Sequence, residues 1–340
     1  MKKLMYLELV VLLLLLVAAV VTVAGFSQPA FSEDELNNPV QTGESTGDTT
    51  EAPEQTTTEF VPDWKTYPEN RQLLAQQYFV YDCGTGTFLK SSGTPQERVW
   101  PASVTKLFTA YVAMQYLQPG TEITAGSELD MVAWGSSVAK IQKGDTLTVM
   151  QLVEAMLLPS GNDAAYVLAA AAGRAMEYSA EVNGQSVAVE LDARSAVDVF
   201  MKKMNELAAD LGMTGTHFVN PDGIHDDNHS MSFADLATLG KLSMENATIM
   251  EYAVTARENL VLHGENVEWK NTNALIDPTT PYYCPYAVGL KTGQTPSAGS
   301  CLLSAFLYED WELIIGVFGC PEEADRFDDT LQLFNEVVLE

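Results

Sequence analysis

Residues 300–319 read Ser-Cys-Leu-Leu-Ser-Ala-Phe-Leu-Tyr-Glu-Asp-Trp-Glu-Leu-Ile-Ile-Gly-Val-Phe-Gly. Two apolar runs, Ser300 to Leu307 and Trp311 to Gly319, flank a polar Glu309-Asp310 turn, which predicts a hairpin. Ala287 to Lys291 predicts one more strand before it, and a helix from about Glu322 to Val338 follows. Near the other end, Phe79 to Leu89 reads as two short strands around a Gly-rich turn. Between these strand-rich ends the chain is mostly helical. Ser103 to Leu117 carries apolar residues at 104, 107, 108, 111, 112 and 114, a helical period. A second helix opens on a capping box, Thr148 and Gln151, and stops at Pro159. Others run from Asp163 to Ala172 with Gly173 beyond, from Ser195 to Leu211 with Gly212 beyond, and from Ser232 to about Glu245. An antiparallel sheet built from both chain ends, with a helical subdomain inserted between them, is an α+β layout.

At 340 residues and 46% hydrophobic content the chain can bury one large core or two ordinary ones. The net charge of -28 repels phosphate backbones and argues against a nucleic-acid partner. Four cysteines without CxxC spacing, Cys83, Cys284, Cys301 and Cys320, indicate neither a disulfide scaffold nor a zinc site. Cys301 and Cys320 are the one plausible pair, since the hairpin puts them diagonally on one face; free buried thiols are the preferred reading.

Lys2 and Lys3 precede an uncharged run, Leu9 to Phe26. As a helix its 18 residues span roughly 27 Å, close to a bilayer's hydrocarbon thickness. Residues 1–26 are therefore an export segment with the N-terminus inside, placing the rest at the extracytoplasmic face of the cell membrane. The length of the run favours a retained anchor, whereas Thr22-Val23-Ala24 offers the small residues of a cleaved signal peptide, after which the chain is secreted. Residues 27–70 shift to Thr, Glu, Ser, Pro and Gln; Ser27 to Trp64 holds nine acidic residues and no Lys or Arg, a disordered spacer. Residues 71–340 are then the folded domain.

A hydroxyl nucleophile needs a base within hydrogen-bond reach, and on a helix the residues sharing a face with position i are i+3 and i+4. Ser103 and Lys106 have that spacing, with Ser103 in the first helical turn, where free N–H groups favour a developing anion. Alone, the pair equally fits an N-cap serine with a solvated lysine. Ser160-Gly161-Asn162 sits on the break between two helices, where a short loop can project both polar side chains into a cleft. Lys291-Thr292-Gly293 closes a predicted strand, placing an ammonium, a hydroxyl and a close-approach glycine at a sheet edge. These three motifs together are the set of penicillin-binding proteins and class A β-lactamases.

The chain resembles the low-molecular-mass penicillin-binding proteins, the D-alanyl-D-alanine carboxypeptidase family of serine peptidases, over roughly residues 75 to 338. The resemblance rests on Pro101 to Lys106 with Thr109-Ala110-Tyr111, Leu157 to Ala165, Gly215 to Gly223, Asn271-Thr272-Asn273 and Gly289 to Gly293. Many members continue into a β-rich domain and an amphipathic membrane helix, whereas this sequence ends at Glu340; Tyr178 to Ala193 reads as an insertion. The resemblance implies the DD-peptidase/serine β-lactamase-like fold, a part in peptidoglycan biosynthesis and cell shape, and covalent inhibition by β-lactams.

It also implies roles. Ser103 attacks the carbonyl of the penultimate D-alanine of a peptidoglycan stem peptide, and Lys106, kept neutral by Lys291 and partial burial, takes the proton. Backbone N–H groups of Ser103 and Gln294 form the oxyanion hole beside Gly293. Ser160 relays a proton to the leaving amine, Asn162 holds the substrate amide or orients Lys106, and Lys291 and Thr292 bind the terminal carboxylate. That chemistry requires no metal or organic cofactor. His217, His225 and His229 lie in a turn-rich loop without the helical face of HExxH sites and read as structural. Arg326 could assist carboxylate recognition, with a surface ion pair preferred.

The alternatives are a serine β-lactamase, a DD-endopeptidase and a non-catalytic β-lactam or wall-binding sensor. A class A β-lactamase needs a Glu-x-x-x-Asn pattern for deacylation, and none lies near Ala196, where it is expected. Intact motifs argue against the sensor.

Overall fold

The structure, a computed structural model, describes residues 71–176, 179–182, 185–188 and 190–339, with backbone only over 179–188. The expected membrane segment and acidic spacer lie outside the described residues. In chain order the strands are β1 (Gln77–Asp82), β2 (Thr87–Ser91), β3 (Arg98–Val99), β4 (Glu122–Thr124), β5 (Thr146–Thr148), β6 (Ser179–Val182), β7 (Gln185–Ala188) and β8 (Met231–Ser232). They continue as β9 (Arg257–Leu262), β10 (Glu265–Lys270), β11 (Ala287–Thr295), β12 (Gly299–Tyr308) and β13 (Trp311–Cys320). The helices are α1 (Thr105–Ala113), α2 (Val149–Leu157), α3 (Asn162–Ala175), α4 (Ala193–Asp210), α5 (Phe233–Met244), α6 (Ala247–Ala253) and α7 (Glu323–Val338).

Both chain ends meet in one antiparallel sheet of order β11-β12-β13-β1-β2, as the α+β reading requires. It is covered on both faces. Leu303, Ala305, Ile314 and Phe318 belong to the core shared with α1 to α6. Leu302, Phe306, Leu313, Ile315 and Val317 pack with Phe327, Leu331 and Phe334 of α7. Double coverage is why β12 and β13 read as nearly unbroken apolar runs.

The expected free thiols are found, but the expected placement of Cys301 and Cys320 on one face changes at the end of the hairpin. The β12–β13 register shifts between Ser300 and Leu302, and Gly319 adopts φ +72°. Cys301 keeps the alternation of Leu303 and Ala305 on the helical side, whereas the irregularity turns Cys320 to the α7 side, so the two do not share a face. All four thiols are free.

The capping box forms as read: Thr148 Oγ1 accepts from Gln151 N at 3.2 Å and Gln151 Oε1 from Thr148 N at 2.9 Å. Gly212, at φ +78°, ends α4 as expected. Gly173 does not end α3. It lies inside that helix, where a Cβ would fall 1.9 Å from Ala196 O, so its purpose is close approach of α3 to α4. The hairpin β9–β10, turning at His263 (φ +56°) and Gly264 (φ +77°), corrects the mostly helical reading of the middle. Residues Tyr178 to Ala193, read as an insertion, include the β6–β7 hairpin.

Candidate active site

The nucleophile segment is tighter than a plain helix. Ala102 to Val104 form a 3-10 turn, with Ala102 at φ +48°, and α1 begins only at Thr105 and ends at Ala113. The 3-10 turn still puts Lys106 beneath Ser103: Nζ lies 2.6 Å from Ser103 Oγ. Lys106 Nζ also donates to the Asp222 carbonyl at 2.8 Å, and Ser103 Oγ lies 3.4 Å from that oxygen. Lys106 is fully buried. Burial pulls its ammonium down to about 8, against the opposing pull of the Asp222 and Asp163 carboxylates. Complete burial, not partial burial beside Lys291, is thus the cause of the shift.

Ser160 occupies the break between α2 and α3 at φ +62°, and Gly161 has no room for a Cβ, which would meet Ala155 O at 2.7 Å. Asn162 starts α3; its backbone N–H donates to Ser137 O at 2.9 Å. Its buried side-chain Oδ1 has no partner among the described residues. An unmatched buried acceptor facing a cleft is suited to a ligand N–H.

On the facing wall, β11 carries Lys291, Thr292, Gly293 and Gln294 in mid-strand rather than at its end. A Cβ at Gly293 would fall 2.7 Å from Pro101 O and 3.0 Å from Ser103 N, so strand and nucleophile turn meet backbone to backbone. Thr292 Oγ1 lies 2.5 Å from Thr272 Oγ1, and Lys291 Nζ donates to Thr272 Oγ1 and Thr292 O, each at 3.3 Å. Burial, then the charges of Lys106 and Arg326, hold Lys291 well below the usual lysine range.

A cleft of about 1030 Å³ brings together Ser103, Ser160, Asn162, Thr292, Gly293 and Gln294. Lys291 is not on its wall; it sits behind the two threonines. Arg326 is on the wall, against the expected surface ion pair: it is 5% exposed, donates to Gly293 O at 3.4 Å and lies 4.9 Å above the Phe327 ring. Its bond to Glu323, at 3.8 Å, is the longer contact. Asp222 and Thr272 carry the other contacts that motif reading left without a role. Asp222 acts through its main-chain carbonyl, which leaves no residue-type signature.

The three histidines diverge. Buried His229 lies 2.9 Å from Thr105 Oγ1 through Nε2, His217 Nδ1 meets Asn228 O at 2.9 Å, and His225 Nε2 faces Asp227 at 3.4 Å. Among the described residues no group of three His, Cys, Asp or Glu side chains could hold a metal ion.

A hydroxyl on a buried lysine, a Ser-Gly-Asn corner and a Lys-Thr-Gly strand around one cleft are the site architecture of the penicillin-binding class. The profile of the family described as D-alanyl-D-alanine carboxypeptidase matches residues 64–192 and 178–322, and the chain belongs to that family. The D-alanyl-D-alanine carboxypeptidase of Streptomyces sp. (strain K15) is 32% identical over 239 residues, covering 67% of this chain and 74% of that protein. The D-alanyl-D-alanine carboxypeptidase DacF of Bacillus subtilis (strain 168) is 28% identical over 250 residues, 72% of this chain. The chain spans 57% of the Bacillus protein's length. The crystal structure of the Streptomyces K15 DD-transpeptidase superposes with a TM-score of 0.67 at 28% identity, covering 79% of this chain and 98% of that one.

Proposed function

We propose that the protein is a serine D-Ala-D-Ala carboxypeptidase that trims peptidoglycan stem peptides. The observation that carries this is the 2.6 Å contact between Ser103 Oγ and a lysine drawn down to about 8 by burial. Ser103 Oγ attacks the carbonyl carbon of the penultimate D-alanine while neutral Lys106 takes its proton. The N–H groups of Ser103 and Gln294 receive the oxyanion. Ser160 passes a proton to the amine of the terminal D-alanine, which leaves with the broken peptide bond's electron pair. Water then cleaves the Ser103 ester and releases the shortened peptide. Asn162 Oδ1 accepts from a substrate amide. Thr292 and Arg326 face the terminal carboxylate, with the Lys291 amine hydrogen-bonded behind the two threonines. A β-lactam presents the same carbonyl and carboxylate and acylates Ser103.

Leu9 to Phe26 carries this domain across the cell membrane, and the acidic spacer holds it toward the wall. Among the described residues no helix is long and apolar enough to cross a membrane. Fractionation of native cells checks the anchor: protein in the soluble fraction with a mature N-terminus near Gly25 refutes retention.

The activity is tested by D-alanine release from diacetyl-L-Lys-D-Ala-D-Ala beside hydrolysis of a chromogenic cephalosporin. Release with slow cephalosporin turnover is expected. Rapid cephalosporin hydrolysis without D-alanine release selects the β-lactamase.

A further inference from the structure

One wall of the cleft has no task in the chemistry above. Trp134 lines the same cavity as Ser103, Ser160 and Asn162, yet its side chain is fully exposed. Exposed apolar side chains are common, but a whole indole standing in water at the mouth of a reactive cleft is an informative exception.

The loop that presents it is fixed to the site. Gly135, at φ +77°, lets the chain turn so that Ser136 N and Oγ both donate to Ala133 O, at 3.2 and 2.7 Å. Ser137 O accepts from Asn162 N at 2.9 Å, and Ser137 Oγ donates to Pro159 O at 2.8 Å. The buried Asp163 carboxylate accepts from Ala139 N and Ile141 N, each at 2.9 Å, and Trp269 Nε1 donates to Ala139 O at 3.1 Å. The backbone that carries Trp134 is therefore tied to the Ser160 and Asn162 corner. An indole has only two side-chain torsions to fix when a ligand covers it.

The position narrows what can cover it. Resting on the carboxypeptidase reading, the terminal D-alanine and its carboxylate occupy the Thr292 and Arg326 side. The Trp134 loop hangs instead on Pro159, Asn162 and Asp163, beside the residue that holds the substrate amide. What remains for it is the acyl side of the scissile bond. We propose that Trp134 is a specificity-determining contact, its indole face packing the long aliphatic side chain of the diamino acid that precedes the two D-alanines. A lysine-like side chain has the chemistry for this: a methylene stem that covers apolar surface while its polar head stays in water.

The test compares two tripeptides, diacetyl-L-Lys-D-Ala-D-Ala and acetyl-Gly-D-Ala-D-Ala, which share a backbone and differ in that side chain. Trp134→Ala should lower kcat/KM about tenfold on the lysine peptide and about twofold or less on the glycine peptide, so the wild-type preference collapses. Trp134→Phe should restore most of it. An equal loss on both peptides, or none on either, overturns the proposal. If wild-type protein is acylated by penicillin yet cleaves neither peptide, the carboxypeptidase reading fails by itself. The contact is then measured as protection of Ser103 from penicillin by the lysine peptide. Trp134→Ala should weaken that protection about tenfold, and unchanged protection overturns the contact.

Discussion

Lys106 Nζ lies between two oxygens, Ser103 Oγ at 2.6 Å and the Asp222 carbonyl at 2.8 Å, with no exposed surface of its own. The carbonyl fixes the amine, and burial brings it to about 8, so a minority near one tenth is neutral at pH 7. Only that fraction can accept the Ser103 proton. Penicillin acylation followed by quenched-flow mass spectrometry should therefore rise with pH and level off above about 8. Lys106→Ala should lose about 10² to 10⁴ in rate, and Lys106→Arg should not recover it, since guanidinium stays charged. A flat profile from pH 6 to 9 would remove Lys106 as base.

A second titration concerns stability. His229 is drawn down to about 4, mainly by burial. Val219 N donates to its Nδ1 at 3.3 Å, so Nε2 carries the hydrogen and donates to Thr105 Oγ1. The unfolded chain protonates this histidine near 6.5 and the folded one near 4. The unfolded state thus binds more protons in that window, and stability falls as pH drops through it, by about 3 kcal/mol in all. Urea melts at pH 7 and pH 4.5 should show a smaller loss for His229→Gln than for the parent; equal losses would refute the assignment.

The chain-end sheet and the motif serine, lysine and asparagine were legible because strand runs, capping boxes and short motifs are local in sequence. What escaped was set by contacts distant in sequence. Gly173 resembles a helix stop until Ala196 O is placed against it. Cys301 and Cys320 share a face by counting residues, and the Gly319 irregularity undoes the count. Arg326 looks like a surface charge until Gly293 O, distant in sequence, is placed against it. The Asp222 contribution is a carbonyl, which every residue has. The β9–β10 hairpin did carry a local signal, His263-Gly264 between β-prone runs, that the helical neighbourhood obscured.

Gly173 gives a packing prediction. Gly173→Ala would normally favour a helix by about 1 kcal/mol, but here the new Cβ lands 1.9 Å from Ala196 O on α4. Backbone has to move, and overpacking costs about 1 to 3 kcal/mol. Thermal melts should show Gly173→Ala several degrees below the parent. Gly120→Ala, where nothing lies within 4 Å, should stay close to it. Gly173→Ala at or above the parent would mean that α3 and α4 do not pack this closely.

The last prediction concerns the charge of the substrate's end. Thr292 and the buried Arg326 line the cleft beside Gly293, with the Lys291 side chain behind the threonine. A charge-assisted contact in such a setting contributes about 1.5 to 3 kcal/mol. A tripeptide amidated at its C-terminus should therefore lose at least about tenfold in kcat/KM against the free acid. Arg326→Leu should lower the free-acid rate and erase most of the difference. Arg326 also holds Gly293 O, so its loss can disturb β11 and slow both substrates. The ratio between acid and amide is consequently the informative quantity, since a general disturbance lowers both alike. Equal rates of the wild-type protein on acid and amide would show that the terminal carboxylate is not read, and would favour an endopeptidase acting on internal bonds.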